Sequence, residues 1–387
     1  MSPSCRPALR VSLAALAGAL LLVAPAPASA SAATERADAA LDRALDGLAA
    51  KRGGPPGVVA TVKRGSEITV HTAGVADVRT RRKIQATDHM RMASTAKAFS
   101  GAVTLSLVSA GRLSLGDTIA GRLKGLPMAW GSVTLGQALH HTSGLPDFSE
   151  SEEFRTLLRA NPRRRFNSRR MWAFVASEPL EFTPGTRYRY SNTDNIIAAL
   201  FAEAATGKTY ESLLRDRVYR PLGLTRTSLP QGYLLPRPFI HGYVVEPPAA
   251  PDDLSEVIGN SGLWASGGIV STPLDAVTFA GAYAGSRLFS RAVQRRQMQW
   301  VAGTSEPPGP GANSAGLAIF RYRTRCGTVY GHTGNTAGYT QFLAGTLDGR
   351  RSVSVAASQQ MTHKVRADIW RVLRAAEEAA VCSALAR

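Results

Sequence analysis

Strand-like segments occur near both ends of this 387-residue chain, whereas its middle has few of them. Near the amino end, Val58–Lys63 and Ile68–Ala73 carry the apolar and β-branched residues of strands, with the turn Arg64-Gly65-Ser66 between them. The strands predicted near the other end are Gly327–Gly331, Thr340–Thr346 and Arg351–Ala357. Because both ends of the chain contribute strands to one sheet and the middle does not, we expect an α+β lobe with an inserted segment.

Helical patterns flank these strands. Thr34–Arg52 has apolar residues at helical spacing, and Met361–Ala384 is predicted as a closing helix. The middle is richer in Pro, Arg and short helical patterns. We therefore expect an α+β fold in which residues 31–114 and 266–387 form a lobe, an antiparallel sheet flanked by terminal helices, and residues 115–265 form an inserted, mainly helical lobe.

The first thirty residues have the plan of a secretory signal peptide. Arg6 and Arg10 precede the apolar run Val11–Val23, and the small residues Ala28-Ser29-Ala30 follow. The alternative is a retained membrane anchor, but a run of 13 residues is shorter than the roughly 20 that span a bilayer. We expect a secreted or wall-associated protein with no stable membrane insertion.

Cleavage after Ala30 would leave Cys326 and Cys382 as the cysteines of the exported chain. In an oxidising compartment an isolated pair favours a disulfide, which would tie the last helix to the sheet. Buried unpaired thiols are the alternative. Neither cysteine has a second Cys or a His at ligand spacing, and His140-His141 has no third ligand in sequence, so we expect no metal and no cofactor.

The formal net charge is +18, and Arg163-Arg164-Arg165 forms a basic run. An exported location argues against nucleic acid as a partner. Weak attraction to an anionic wall polymer is the looser alternative.

Ser94-Thr95-Ala96-Lys97 opens the apolar segment Ala98–Ala110, which is predicted to be a helix. Residues at i and i+3 share a helix face, so the Lys97 amine can approach the Ser94 hydroxyl. A desolvated lysine can take the proton from a serine and so make it a nucleophile. An isolated S-x-x-K is weak evidence, because a solvated helix start gives the same pattern.

Two further motifs carry side chains that can move protons or hold a substrate. In Tyr190-Ser191-Asn192, a phenol can relay a proton and an amide can hold a carbonyl group. In His332-Thr333-Gly334, the glycine permits close approach of a substrate backbone, and His and Thr can donate hydrogen bonds. Each motif alone is weak evidence as well.

In the order S-x-x-K, Y-x-N and H-T-G, the three motifs resemble the serine β-lactamase-like and penicillin-binding protein superfamily. The placing of the two cysteines is similar to that in secreted actinobacterial D-alanyl-D-alanine carboxypeptidases. The resemblance covers roughly 40–385, and three further segments carry it: His141-Thr142-Ser143-Gly144-Leu145-Pro146, Tyr219-Arg220-Pro221-Leu222-Gly223-Leu224 and Ser266-Gly267-Gly268-Ile269-Val270-Ser271-Thr272.

The resemblance implies a role for each motif residue. Ser94 would be the acylated nucleophile, Lys97 would position or deprotonate it, and Tyr190 would shuttle protons. Which of Lys97 and Tyr190 is the acylation base is left open. The backbone N–H groups of Ser94 and Asn335 would form the oxyanion hole. The residues implied in substrate binding are Asn192, His332, Thr333, Gly334, Asn335 and Arg321.

Two departures from the family pattern leave the substrate open. Phe320 stands where a carboxylate-binding cation is expected, so Arg321 is the candidate for that role, and Asn335 replaces a hydroxyl residue. The first hypothesis is a D-Ala-D-Ala carboxypeptidase acting on peptidoglycan peptides, with β-lactams as inhibitors. The alternatives are an esterase, a D-aminopeptidase or a class C-like β-lactamase acting on a small acyl substrate, and a catalytically idle wall-binding protein.

Overall fold

The computed structural model describes residues 1–2, 28–362 and 366–386. The predicted signal peptide, 1–30, lies almost wholly outside the described residues. The helices are α1 Ala28–Ala49, α2 Ala96–Ser109, α3 Ile119–Arg122, α4 Leu135–Leu139, α5 Glu152–Ala160, α6 Asn192–Thr206, α7 Tyr210–Leu214, α8 Arg220–Leu222, α9 Trp264–Gly267, α10 Pro273–Ala284, α11 Arg291–Gln297 and α12 Ala367–Leu385.

The strands form one large antiparallel sheet and two small pairs. Their bounds are β1 Gly57–Arg64, β2 Glu67–Gly74, β3 Met90–Arg91, β4 Tyr243–Val244, β5 Asp252–Asp253, β6 Val270–Ser271, β7 Ala312–Ala315, β8 Phe320–Thr324, β9 Gly327–Thr336, β10 Tyr339–Gly345 and β11 Arg351–Ala357. The large sheet has the order β2-β1-β11-β10-β9-β8-β7, so strands from both ends of the chain pair through β1 and β11. This is the predicted α+β architecture.

The terminal helices α1 and α12 cover one face of the sheet. Leu41 and Leu45 of α1 and Leu373 of α12 are buried there against strand residues such as Val58 and Val355. Apolar residues at helical spacing on α1 meet the alternate residues of β1, which is why both patterns were visible in the sequence. Burial of these side chains is what holds the ends of the chain together.

A disulfide adds a covalent link on the same side. Cys326, between β8 and β9, is bonded to Cys382 of α12, 56 residues away in sequence. The predicted pair is therefore joined in the structure, and it ties the last helix to the sheet.

Helix α2 lies where the sheet meets the inserted helical lobe. Nearly all of its residues are buried. Phe99 of α2 stacks on Phe279 of α10 with ring centroids 3.6 Å apart, and it meets the edge of Tyr219 from the inserted segment at 6.3 Å. One hydrophobic core thus runs from the sheet into the lobe and fixes α2 between them.

The closing helix begins later than predicted. It starts at Ala367, not at Met361, and residues 363–365 lie outside the described part of the chain. Met361 is held by the sheet instead: its N–H donates to the Thr340 hydroxyl at 2.9 Å, and its carbonyl accepts the Asn335 amide at 2.8 Å. The first helix also ends at Ala49, before the predicted Arg52.

Strand β9 runs directly alongside the turn that carries Ser94. A Cβ added at Gly334 would lie 2.8 Å from the Met92 carbonyl oxygen and 2.9 Å from the backbone nitrogens of both Ser94 and Thr95. Real Cβ atoms do not approach backbone atoms this closely, so only glycine permits this packing. Gly334 therefore sets how near the H-T-G strand comes to Ser94.

We expect Gly334→Ala to lower the rate of Ser94 acylation by p-nitrophenyl acetate about a hundredfold, because a displacement near 1 Å misaligns reacting groups. The matched control is Gly47→Ala on α1, where an added Cβ meets no atom within 4 Å. Gly47→Ala should keep the wild-type rate and stabilise the helix by about 0.5–1 kcal/mol. A wild-type acylation rate in Gly334→Ala would contradict this account.

Candidate active site

Ser94 sits in a tight turn immediately before α2. The turn is the 3-10 segment Ala93–Thr95, and the Thr95 hydroxyl donates to the Met92 carbonyl at 2.6 Å. Ala93 has φ of 50°, a left-handed conformation that costs a non-glycine residue free energy. Ser94 is half-buried although the residues on both sides of it are buried. The turn therefore presents the Ser94 hydroxyl to solvent while its backbone stays within the protein.

Lys97 is fully buried, and its amine has three oxygen partners. Its Nζ lies 3.2 Å from Ser94 Oγ, 2.7 Å from Asn192 Oδ1 and 2.8 Å from the Ser266 carbonyl oxygen. Burial lowers the pKa of Lys97 to about 7, although the negative charges of Asp147 and Glu306 oppose the shift. A substantial fraction of the amine is therefore neutral at physiological pH and can accept the Ser94 proton.

The Tyr190 ring also lies close to the Lys97 amine. Lys97 Nζ is 4.8 Å from the centre of the Tyr190 ring. Burial raises the pKa of the Tyr190 phenol well above its usual value, and the neighbouring Ser94 hydroxyl opposes this shift without offsetting it. The phenol oxygen has no partner at hydrogen-bond geometry among the described residues. At neutral pH Tyr190 is thus a protonated phenol, able to donate but not to act as the resting base.

Both the oxygen and the nitrogen of the Asn192 side-chain amide are hydrogen-bonded within the protein. Its Oδ1 accepts from Lys97, and its Nδ2 donates to Asp147 Oδ2 at 2.9 Å and to Ser149 Oγ at 3.0 Å. The backbone N–H of Asn192 also donates to Asp147, at 3.0 Å. Here Asn192 orients Lys97, while its predicted contact with substrate stays a prediction.

His332 is buried on β9 with a fixed tautomer. Its Nδ1 lies 2.5 Å from the Thr333 carbonyl oxygen, which can only accept, so the proton is on Nδ1. Its Nε2 has no hydrogen-bond partner in the described part of the chain. Burial lowers the pKa of His332 to about 3, and the Lys97 charge adds to the shift. His332 is therefore neutral, with an acceptor nitrogen in the site.

The other predicted substrate-binding side chains are already engaged. The Thr333 hydroxyl donates to the Pro307 carbonyl at 2.5 Å. The Asn335 side chain donates to the Met361 carbonyl and accepts from the Thr340 hydroxyl at 3.0 Å. The backbone N–H of Asn335 therefore remains for the predicted oxyanion hole. It lies on the stretch of β9 with which β8 does not pair.

Arg321, the candidate for binding a carboxylate, packs on the neighbouring strands. Its guanidinium carbon is 4.8 Å from the centre of the Trp300 ring, and Nη2 donates to Ser314 Oγ at 3.0 Å. In the register of β8 and β9, Arg321 lies opposite Tyr330, which precedes His332 by two residues in sequence. The guanidinium is therefore held by Trp300 and Ser314.

A buried network behind Tyr190 was not predicted. The His141 ring stacks on Tyr190, with centroids 4.5 Å apart. His141 Nδ1 lies 2.8 Å from Asp194 Oδ2 and accepts the Ser191 N–H at 3.3 Å, and Ser143 donates to Asp194 Oδ1. The motif segment His141-Thr142-Ser143-Gly144 was visible in the sequence, but its contact with Tyr190 depends on residues about 50 positions away.

Burial disfavours the charged form of both Asp194 and His141. Burial raises the pKa of Asp194 well above its usual value and lowers the pKa of His141 well below its own. Both shifts favour a protonated Asp194 that donates to a neutral His141. The ring that stacks on Tyr190 is therefore favoured in its neutral form.

The adjacent side chains of His140 and His141 face different partners. His140 Nε2 lies 3.3 Å from the Ala315 carbonyl oxygen, whereas His141 faces Asp194. Within the described ranges no group of three or more His, Cys, Asp or Glu side chains could hold a metal ion. No helix of the same ranges is long and apolar enough to cross a bilayer.

The chain matches a protein-family model described as Beta-lactamase over residues 41–378. Penicillin-binding protein 4* of Bacillus subtilis is 24% identical in an alignment of 314 residues that covers 77% of this chain and 66% of that protein. The chain thus spans somewhat less than two thirds of that relative's length.

Two solved structures of amide hydrolases are similar over nearly their whole length. A D-stereospecific amidohydrolase from Streptomyces sp. has 27% identity and a TM-score of 0.75, with 87% of this chain and 97% of that one covered. A D-amino acid amidase from Ochrobactrum anthropi SV3 has 23% identity and a TM-score of 0.77, with 89% and 98% covered. Together they show the β-lactamase/transpeptidase fold.

The neutral state of Asp194 predicts that Asp194→Asn keeps the acylation rate within about twofold, since an amide can also donate to His141 and accept from Ser143. Asp194→Ala, in contrast, should lower the free energy of unfolding by about 1–3 kcal/mol, because it strands buried polar partners. Urea unfolding and acylation rates of both variants test this. Equal damage from the two substitutions would contradict a protonated Asp194.

Proposed function

The chain belongs to the Beta-lactamase family and is a serine hydrolase of the β-lactamase fold, and we propose that it cleaves amide bonds of D-amino acid derivatives through an acyl-enzyme at Ser94. The observation that carries the proposal is the 3.2 Å contact between Ser94 Oγ and the buried Lys97 amine, whose pKa is about 7. A neutral amine beside a serine hydroxyl is the pairing that nucleophilic catalysis needs.

Acylation follows from the protonation states of the three motif side chains. As the bond between Ser94 Oγ and the substrate carbonyl carbon forms, the hydroxyl proton passes to Lys97 Nζ. The bond between that carbon and the amide nitrogen then breaks, and the Tyr190 phenol donates a proton to the leaving amine. The proton held by Lys97 restores the phenol, so the site carries no net change of charge.

Deacylation uses Lys97 in the same role, with water as the nucleophile. A water molecule adds to the ester carbon of the acyl-enzyme, gives a proton to Lys97 and releases the carboxylic acid, and Ser94 recovers its hydrogen from Lys97. The same protonation states therefore support both half-reactions.

The electrostatics of the site bear on which amide is cleaved. A carboxypeptidase must hold a terminal carboxylate, which favours a cation. Among the groups expected to do so, His332 is neutral, because its pKa is about 3, and Arg321 is engaged with Trp300 and Ser314. The name of the Streptomyces neighbour, a D-stereospecific amidohydrolase, supports an amide substrate of D configuration.

The second candidate is the D-Ala-D-Ala carboxypeptidase of the first hypothesis. The observation that favours it is the match to a Bacillus subtilis penicillin-binding protein. The family binds β-lactams and amide or peptide substrates. We also propose that the protein is exported, supported by the basic, apolar and small-residue plan of residues 1–30.

We expect purified protein to release ammonia from D-phenylalanine amide faster than from the L-enantiomer, and faster than it releases D-Ala from diacetyl-L-Lys-D-Ala-D-Ala. Ser94→Ala should lower the ammonia rate by about a thousandfold or more, because the nucleophile is lost. Ser66→Ala, in the exposed turn between β1 and β2, is the matched control and should behave as wild type.

Faster D-Ala release would instead establish the carboxypeptidase. Activity on p-nitrophenyl esters with neither amide cleaved would establish an esterase, and full activity in Ser94→Ala would remove Ser94 as the nucleophile.

A further inference from the structure

A loop that sequence reasoning did not single out joins the two sides of the site. It comprises residues 302–311, between the bridge of Val301 to Ala315 and the start of β7, and is named here the Glu306 loop. The Tyr188 hydroxyl, two residues before Tyr190, donates to the Thr304 carbonyl at 2.5 Å. The Thr333 hydroxyl, on β9, donates to the Pro307 carbonyl at 2.5 Å. The loop is thus anchored to both the Y-x-N and the H-T-G motif segments.

Further contacts make the loop rigid on either side of Glu306. Ser305 is fully buried, donates to the Pro307 carbonyl at 3.0 Å and accepts from the Tyr322 hydroxyl at 3.1 Å. Gly303 packs so tightly on the Tyr188 ring that an added Cβ would lie 2.7 Å from its atoms. Glu306 itself is exposed between two buried neighbours. The backbone therefore holds Glu306 at the surface, beside the two anchored motif segments.

The charge of Glu306 reaches the catalytic groups. Its negative charge raises the pKa of Lys97, opposing the effect of burial, and it raises the phenol pKa of both Tyr188 and Tyr190. A carboxylate that acts on these side chains would also act on a charged substrate group near the reacting carbonyl. It would attract an ammonium and repel a carboxylate.

We propose that Glu306 is a specificity-determining residue that binds the ammonium of substrates with a free α-amino group, and this inference rests on the proposed function. The substrate class is then amino acid amides and the amino-terminal residues of peptides. Substrates whose amino group is acylated, or that carry a carboxylate close to the scissile bond, are disfavoured. The anchors to Tyr188 and Thr333 fix the backbone of Glu306 relative to the motif segments, and its carboxylate would select substrates without taking part in bond cleavage.

The test compares D-phenylalanine amide with N-acetyl-D-phenylalanine amide, which differ in the ammonium. We expect Glu306→Gln to lower the ratio of their kcat/KM values about fivefold, through a higher KM for the free amine, as for a solvent-exposed ion pair. Glu306→Lys should lower the ratio further. Glu67→Gln, an exposed carboxylate on the opposite edge strand of the sheet, is the matched control and should leave the ratio unchanged.

A second measurement needs no variant. In the wild type, raising the ionic strength should lower the same ratio, because salt screens an exposed charge pair. A ratio that responds neither to salt nor to either Glu306 substitution, with both amides cleaved, would overturn the inference alone. If the wild type cleaves neither amide, the proposed function fails and the inference fails with it.

Discussion

The burial of one lysine amine is the constraint on which this site depends. Lys97 lies on α2, and its partners come from α6 through Asn192 and from α9 through Ser266. A buried charge is costly, so the amine gives up its proton near neutral pH instead of keeping it to pH 10. The shared core of sheet and helical lobe, with Phe99 at its centre, maintains this burial. Packing far from Ser94 therefore sets the reactivity of Ser94.

The low polarity of the site also fixes the states of its other groups. Burial keeps Tyr190 a phenol, whereas burial together with the positive charge of Lys97 keeps His332 neutral. The Asp194–His141 pair supports the Tyr190 ring without adding a charge. The Glu306 carboxylate, in contrast, stands at the solvent side. In this arrangement desolvation activates the nucleophile, and the proposed recognition of a substrate charge takes place at the surface.

The sequence predicted those features that depend on local spacing. Ser94 and Lys97 are one helical turn apart, and the strand patterns at the two ends found β1, β2 and β9–β11, because each signal lies within a few residues. The strands β7 and β8 were not predicted. The true start of α12 was also missed, because Met361 is held by Thr340 and not by its neighbours in sequence. The Glu306 loop and the His141 network depend on contacts between distant residues such as Tyr188 and Thr304, which no single segment reveals.

The central claim is that a neutral Lys97 activates Ser94, and the pH dependence of Ser94 acylation by an uncharged ester measures it most directly. Because burial lowers the Lys97 pKa to about 7, the rate should rise about tenfold per pH unit below that value and level off above it. Lys97→Arg, which stays protonated throughout, should remove this rise. A wild-type rate that is flat from pH 5 to 9, or that climbs steadily to pH 10 as an ordinary lysine would require, would contradict the account.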